Sequence, residues 1–193
     1  MKKNIAIFVS GGGTDMQSVI DNVENGNING VVRVVICSKD GIGAIDRCVR
    51  HNIPYKVFKK KDYDSATAMD SDIINVLESY NIDLVVLAGY LNIVSPLLVH
   101  RYNRRIINIH PSLIPKYCGM SYYGMRVHEA VIANHEKESG CTVYYVDEGA
   151  DTGEIIRQER VKVLDTDTPE TLQARVLEVE HQLLPSVVAM LCK

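Results

Sequence analysis

The first 110 residues alternate short apolar runs with amphipathic segments, and this alternation restricts the fold more than any other feature of the chain. The apolar runs cover residues 5–9, 31–36, 55–58, 84–87 and 106–109. Between the first four runs, apolar residues recur three or four positions apart, which is the spacing of one helix face. Alternating strands and helices, with strands that are wholly apolar, predict a parallel sheet covered by helices on both faces.

The last third of the chain has a different pattern. Residues 141–146 and 155–163 predict two strands of an antiparallel extension, and an acidic loop joins them. The two patterns together predict a single-domain α/β, Rossmann-like fold over residues 1–193. We expect a mostly parallel twisted sheet flanked by helices, with an antiparallel C-terminal extension and a long final helix. In such sheets, ligands bind beyond the carboxyl ends of the strands, where the strand order reverses.

The final helix has a clear start and an apolar stripe. Thr168 supplies a hydroxyl cap, and Pro169 follows at the first helical position. The stripe that we expect to be buried consists of Leu172, Val176, Val179 and Leu183. Glu180 and His181 lie beside Val179 and off this stripe, so we expect both side chains to face solvent.

Composition and charge exclude several classes of protein. The 193 residues are 46% hydrophobic and 23% charged, which is enough for one buried core. A formal net charge of −3 argues against bulk binding of nucleic acid. No apolar run approaches the roughly 18 residues of a membrane span, and the first run is too short for a secretory signal. The five cysteines are odd in number and contain no CxxC pair, so we expect free thiols in a cytoplasmic protein.

A glycine-rich segment, residues 10–14, joins the first strand to its helix, and we call it the glycine loop. Glycines let backbone amides approach a ligand, and a helix N-terminus favours an anion, so phosphate binding is favoured over a simple tight turn. The spacing fits neither GxGxxG, because Met16 occupies the third glycine position, nor a Walker A loop. No acidic residue ends the second strand, which disfavours a dinucleotide. Thr14 and Gln17 have the spacing of a capping box.

Asn108 and His110 stand two residues apart at the end of an apolar run, directly before Pro111. Residues i and i+2 of a strand point to the same face, so the amide and the imidazole would leave the strand end side by side. A hydrogen-bond donor beside an acid–base group is what acyl-type transfer needs. A histidine before a proline is more often only the end of a strand, and the rest of the chain must supply the catalytic context.

The acidic loop, residues 146–154, contains Asp147, Glu148 and Asp151. The cluster could be a solvated turn, which is the common fate of such groups. It could also bind a metal ion, although no His or Cys lies nearby in sequence. A third interpretation places one carboxylate against His110, where it would favour the imidazolium. A cationic histidine could stabilise a developing oxyanion.

Seven short motifs, spread over nearly the whole chain, occur together. They are SGGGTD (10–15), VLAGY (86–90), IVSP (93–96), NIHPSLIPKY (108–117), GCTV (140–143), VDEGADTG (146–153) and EH (180–181). In this order they resemble the glycinamide ribonucleotide formyltransferases, which use 10-formyltetrahydrofolate in purine synthesis. The NxHPSLxP pattern alone marks the wider formyltransferase superfamily, and the glycine loop and the Asp-Thr-Gly segment narrow the resemblance to this member.

The resemblance implies a role for several residues. Asn108, His110 and Asp151 match the family's catalytic triad. Glu180 matches the acidic residue that contacts the glycinamide end of the substrate. The phosphate of the ribonucleotide would lie on Gly12, Gly13, Thr14 and Asp15. Residues 1–100 would then form a phosphate-binding half of the domain, and residues 101–193 a catalytic and folate-binding half.

The resemblance also implies where the folate would bind. The candidate contacts are Ala66, Leu91, Asn92, Ile93, Val94 and Asn108. The chain departs from many relatives here, because Ala66 and Asn92 stand where basic residues are frequent. Tyr144 likewise replaces a frequent histidine, and residues 119–125 form a longer segment than in many relatives.

The reaction that the resemblance implies is direct transfer of the formyl group to the amine of glycinamide ribonucleotide, through a tetrahedral intermediate. 10-Formyltetrahydrofolate would be the co-substrate and no metal would be required. We expect small-molecule partners only, without nucleic acid or membrane, and a monomer or homodimer. Two alternatives stay open. One is a 10-formyltetrahydrofolate hydrolase, and the other is a non-catalytic phosphate-binding module.

Overall fold

The computed structural model, which describes residues 1–193, contains seven strands in one sheet. The strands are β1 (Lys3–Val9), β2 (Gly30–Cys37), β3 (Tyr55–Val57), β4 (Leu84–Leu87), β5 (Ile106–His110), β6 (Glu138–Tyr145) and β7 (Ile155–Lys162). Their order is β3-β2-β1-β4-β5-β6-β7, with parallel pairing from β3 to β5 and antiparallel pairing from β5 to β7. The predicted α/β class and the antiparallel extension are confirmed.

Five helices connect the strands, and a sixth follows the last strand. They are α1 (Thr14–Glu24), α2 (Gly43–Arg50), α3 (Ala66–Ser79), α4 (Pro96–Arg101), α5 (Met125–Ala133) and α6 (Pro169–Leu191), and a short 3₁₀ helix covers Lys60–Asp62. The sequence patterns did not predict α4 and α5, which have only six and nine residues and so show little periodicity. None of the helices combines the length and the apolar character that a membrane crossing requires.

Alternate residues of each central strand enter two separate cores. In β1, Ile5 and Ile7 pack with α1, α2 and α6 on one face. Ala6 and Phe8 pack with α3 and α4 on the other face. Both faces of the sheet are therefore closed, and the strand order reverses between β1 and β4. The carboxyl edge at this reversal is where open α/β sheets bind ligands.

The start of α1 differs from the predicted capping box. The cap residue is Gly13, which has a φ of 73° and makes no side-chain cap, and Thr14 is already the first helical residue. The tight turn of the glycine loop requires a left-handed residue, and glycine adopts that conformation without strain. The backbone amides at this helix start are therefore not covered by a capping side chain.

The burial of Glu180 also differs from the sequence prediction. Its side chain lies in the interior, with only 6% of the residue exposed, whereas His181 is half-buried. The helix α6 packs against α1, α5 and the β6–β7 pair at once. Its buried surface is therefore wider than the single apolar stripe that the sequence predicts. Glu180 falls on that stripe because it lies four residues from both Val176 and Leu184, which are buried.

The N-terminus of α6 offers a test of the helix assignment. Thr168 accepts from the Thr171 amide, and the Thr171 hydroxyl accepts from the Thr168 amide. We expect Thr168→Ala to lower the free energy of unfolding by about 1 kcal/mol, because the Thr171 amide at the helix start loses its partner. Urea unfolding measures this difference. Thr166→Ala, at an exposed position two residues earlier, serves as the matched control, and an equal effect of both variants would contradict the capping assignment.

Candidate active site

The pairing of β5 with β6 positions the two polar residues at the end of β5. Asn108 lies opposite Tyr144, and His110 lies opposite Thr142. Asn108 and His110 point to the same face of the sheet, as their spacing predicts. His110 is only 5% exposed, while Asn108 is half-buried. The strand therefore delivers an amide and an imidazole together to the carboxyl edge.

A chain of hydrogen bonds joins Asn108 to Asp151 through Tyr144. The Asn108 Nδ2 donates to the Tyr144 hydroxyl at 2.7 Å, and that hydroxyl donates to Asp151 Oδ1 at 2.5 Å. The second carboxylate oxygen of Asp151 accepts from the Gly119 amide at 2.7 Å. Burial raises the pKa of Tyr144, so the phenol keeps its proton. The three side chains form one connected polar group.

The two nitrogens of His110 have different surroundings. Nε2 lies 2.8 Å from the carbonyl oxygen of Tyr117. A carbonyl can only accept a hydrogen bond, so Nε2 carries a hydrogen. Nδ1 lies 3.7 Å from Asp151 Oδ2, which is within ion-pair range but too long for a hydrogen bond. The structure therefore brings the predicted triad together and leaves Nδ1 as the nitrogen that is free to react.

The acidic loop is held in one conformation by its own contacts. The Asp147 carboxylate accepts from the Gly149 amide at 3.1 Å and from the Thr152 hydroxyl at 2.7 Å, and Glu148 pairs with His100 at 2.6 Å. Asp151 itself adopts a φ of 60°, which aspartate and asparagine tolerate better than most residues. Asp147 and Glu148 thus stabilise the loop, and Asp151 is the acid that reaches Tyr144 and His110.

A cavity of about 500 Å³ opens beside these groups. Its 22 lining residues, of which 12 are hydrophobic, include Asn108, His110 and Asp151. The opposite wall contains the predicted folate contacts Leu91, Asn92, Ile93 and Val94. Ala66 is the first residue of α3 and does not line the cavity. A mostly apolar cavity with a few convergent polar groups is the usual form of a small-molecule site.

The segment 91–95, which forms that opposite wall, is tied down at both ends. The Leu91 amide donates to the Ser10 hydroxyl at 2.9 Å, at the end of β1. The Ser95 amide donates to the buried Asp70 carboxylate at 2.5 Å. Burial raises the pKa of Asp70. These contacts fix the wall relative to the carboxyl ends of the strands, and the Asn92 amide adds a contact to the Tyr90 hydroxyl at 3.4 Å.

The glycine loop lies on the same edge of the sheet but outside the cavity. A Cβ atom added at Gly11 or Gly12 would meet nothing within 4 Å, so the backbone there is open on that side. Arg47 of α2 donates through Nε to the Gly12 carbonyl at 2.8 Å and through Nη1 to the Gln17 side-chain oxygen at 3.1 Å. The loop therefore combines exposed backbone, a helix start and a cation, which together suit an anion.

Asp15 and Glu180, two of the predicted substrate contacts, lie close enough behind this loop for their charges to interact. Burial raises the pKa of Asp15 to about 6, and burial together with the charge of Asp15 raises the pKa of Glu180 well above its ordinary value. Asp15 Oδ1 lies 3.7 Å from His181 Nε2, and neither atom has a hydrogen-bond partner. Burial, and then the charge of Arg47, lower the pKa of His181. The cluster holds polar atoms that a ligand could satisfy.

The sequence patterns missed three residues of this site. Tyr144, Tyr117 and Arg47 all act across long sequence separations, through strand pairing, a returning loop and a neighbouring helix. A signal for Tyr144 existed, because antiparallel strands place facing residues of one face side by side. The register was needed to use that signal, and neither strand fixes it alone.

Known proteins resemble this chain along nearly its whole length. A model of the formyl transferase family matches residues 3–188. The phosphoribosylglycinamide formyltransferase of Bacillus subtilis (strain 168) is 34% identical over 189 residues, and the match covers 98% of this chain and 94% of that protein. A chloroplastic phosphoribosylglycinamide formyltransferase of Vigna unguiculata is 41% identical over 192 residues. That match covers 100% of this chain and 62% of the plant protein, so the chain spans less than two thirds of the relative's length.

A solved structure shares the fold closely. The crystal structure of phosphoribosylglycinamide formyltransferase from Bacillus halodurans superposes with a TM-score of 0.92 at 39% sequence identity. The superposition covers 98% of this chain and 95% of that chain. The seven-stranded sheet, its antiparallel edge and the long final helix are therefore the architecture of that enzyme.

The Asp15 cluster predicts a pH dependence of stability. Because the pKa of Asp15 rises from 3.8 to about 6 on folding, the folded state holds a proton that the unfolded state has released. This contribution to stability is complete below pH 3.8 and is lost as the pH rises to about 6. Asparagine cannot titrate, so we expect the melting temperature of Asp15→Asn, relative to wild type, to increase between pH 4 and pH 6.5.

Differential scanning calorimetry across this pH range measures the effect. Asp64→Asn, at an exposed position, is the control and should follow the wild type at each pH. A difference between Asp15→Asn and wild type that stays constant with pH would contradict the burial of a titrating carboxyl group.

Proposed function

The chain belongs to the formyl transferase family, and we propose that it transfers the formyl group of 10-formyltetrahydrofolate to the amine of glycinamide ribonucleotide. The observation that carries the proposal is the convergence of Asn108, His110 and Asp151 on one wall of a cavity that has an apolar opposite wall. The Bacillus relative with that activity in its name is matched over 94% of its length. The reaction would form part of de novo purine biosynthesis.

The first step is attack of the amine nitrogen on the formyl carbon. A carbon–nitrogen bond forms, and the carbonyl electron pair moves to oxygen, which becomes a tetrahedral oxyanion. Asn108 donates an amide N–H to that oxygen. His110 donates a second hydrogen bond when Nδ1 is protonated, and Asp151 at 3.7 Å balances the charge. Such preorganised donors stabilise charge that develops only in the transition state.

The second step needs a proton at the leaving nitrogen. The attacking amine becomes cationic and must lose a proton, and the folate nitrogen must gain one before the carbon–nitrogen bond breaks. The protonated His110 Nδ1 can give its proton to the folate nitrogen and then, as a neutral imidazole, take the proton of the attacking amine, while Nε2 stays engaged with the Tyr117 carbonyl. The oxyanion re-forms the carbonyl as the bond from the formyl carbon to the folate nitrogen breaks. A water held by Asp151 is the other route. Neither route requires a covalent enzyme intermediate.

The two substrates would approach from different parts of the carboxyl edge. The pterin would lie in the cavity against residues 91–94, while Ala66 remains a candidate only for a folate tail that leaves the cavity. The phosphate would rest on the backbone of Gly12, Gly13, Thr14 and Asp15, beside Arg47. Glu180 would then face the glycinamide ribonucleotide from α6. Residues 1–100 thus contribute the phosphate-binding half, and residues 101–193 most of the catalytic half.

We also propose that the protein acts in the cytoplasm, on small molecules alone, as a monomer or homodimer. All five cysteines are free thiols, four of them buried, which suits a reducing compartment. The plant relative carries a chloroplastic designation in its name, and that designation applies to the plant protein. A net charge of −3 supports small-molecule substrates over nucleic acid.

One assay distinguishes the proposal from its alternatives. The enzyme is mixed with 10-formyltetrahydrofolate, with and without glycinamide ribonucleotide, and loss of the formyl group is followed spectrophotometrically. The proposal predicts turnover that depends on the amine. Turnover without the amine would identify a hydrolase, and binding of the ribonucleotide without any turnover would identify a phosphate-binding module. Either result would overturn the proposal.

Two substitutions test the catalytic assignment. We expect His110→Ala and Asp151→Asn each to lower kcat at least about 100-fold, because each removes a group that stabilises charge in the transition state. Asparagine accepts the positive φ of position 151, so the fold should survive. His135→Asn, at an exposed residue outside the cavity whose positive φ asparagine tolerates, is the control for loss of an imidazole. Near-wild-type turnover in either site variant would exclude that residue from catalysis.

A separate substitution tests the phosphate site. We expect Arg47→Gln to raise KM for glycinamide ribonucleotide about tenfold while kcat changes little, because a charge-assisted contact to phosphate is lost in ground and transition state alike. Arg50→Gln, on the same helix but directed away to the Asp46 carbonyl, is the matched control. Steady-state kinetics with varied ribonucleotide measures both. An unchanged KM in Arg47→Gln would place the phosphate elsewhere.

A further inference from the structure

We propose that Tyr144 is a positioning residue of this site, whose single hydroxyl orients both the Asn108 amide and the Asp151 carboxylate. The inference rests on the proposed formyl transfer and assigns a role to a residue outside the triad. Tyr144 lies on β6, directly opposite Asn108, and only 3% of the residue is exposed. Its ring lines the cavity beside Asn108 and Asp151.

The direction of the hydrogen bonds through Tyr144 follows from elementary chemistry. A carboxylate can only accept, so the one phenolic hydrogen is donated to Asp151 Oδ1 at 2.5 Å. The phenolic oxygen must then act as acceptor toward Asn108, at 2.7 Å. The group of Asn108 that faces Tyr144 is therefore the N–H, and the opposite amide orientation would set two acceptors against each other.

This polarity decides which atom Asn108 presents to the reaction. An amide nitrogen has two hydrogens, and Tyr144 uses one of them. The second hydrogen stays free for the oxygen of the formyl group. If the phenol were absent, the amide could rotate by 180° and present its carbonyl oxygen, which would repel a developing oxyanion. Tyr144 thus makes Asn108 a donor before the substrate arrives, which is the preorganisation that electrostatic catalysis needs.

The same hydroxyl also holds Asp151 away from direct bonding with His110. One oxygen of Asp151 is engaged by Tyr144, and the other by the Gly119 amide. Asp151 therefore stays 3.7 Å from His110 Nδ1, close enough to balance its charge without occupying it. Nδ1 remains available to the reacting atoms. A carboxylate released from Tyr144 could rotate toward His110 and compete for that nitrogen.

Tyr144→Phe tests the role, because it keeps the buried ring and removes only the hydroxyl. We expect kcat to fall about 10- to 100-fold, with KM for both substrates within about threefold, since substrate contacts persist while a transition-state donor loses its orientation. Tyr145→Phe removes a hydroxyl from the neighbouring residue, whose side chain does not line the cavity, and should leave kcat unchanged. Thermal unfolding gives the folded fraction, and rates are expressed per folded enzyme.

A double-mutant cycle separates positioning from a merely structural role. If Tyr144 acts through Asn108, Tyr144→Phe should lower kcat strongly in the wild-type background and only slightly in the Asn108→Ala background. An equal loss of kcat in both backgrounds would overturn the inference, as would a kcat for Tyr144→Phe within twofold of wild type. If the wild type lacks amine-dependent transfer, the proposed function fails as well, whereas active wild type with an unaffected Tyr144→Phe removes this inference alone.

Discussion

The antiparallel pairing of β5 with β6 is the constraint on which the site depends. It places Asn108 opposite Tyr144 at the point where the parallel part of the sheet ends. The acidic loop that follows β6 then returns Asp151 to the same edge, where Tyr144 and the Gly119 amide hold it. A shift of one residue in this register would move Tyr144 to the other face of the sheet, away from Asn108, because side chains alternate between faces.

Two further regions of the carboxyl edge lie beside this strand pair. The order reversal between β1 and β4 opens the carboxyl edge, and β1 ends there in the glycine loop. Ser10 accepts from the Leu91 amide, so the anion region and the cavity wall share one anchor. The two regions also differ in character, since one offers backbone amides and Arg47 while the other offers a mostly apolar wall. The first region suits the phosphate of the proposed ribonucleotide substrate, and the second suits the pterin ring of the proposed folate donor.

Local patterns predicted the parts of this molecule that local physics determines. The alternation of apolar runs predicted the sheet, and a two-residue spacing predicted the shared face of Asn108 and His110. The capping prediction for Thr14 was wrong because the turn geometry of the loop required glycine at the cap. The solvent-facing prediction for Glu180 was wrong because α6 packs on several elements at once. The contact of Tyr144 with Asn108 could not be predicted without the register of their two strands, because the two residues lie 36 positions apart in sequence.

The most direct test of formyl transfer is to follow the formyl carbon itself. The enzyme is incubated with donor labelled with ¹³C in the formyl group and with glycinamide ribonucleotide, and ¹³C NMR records where the label goes. Direct transfer at the Asn108–His110–Asp151 site predicts label on the amine nitrogen of the ribonucleotide as an N-formyl group, without free formate. Label that appears as formate, whether or not the ribonucleotide is present, would contradict the account.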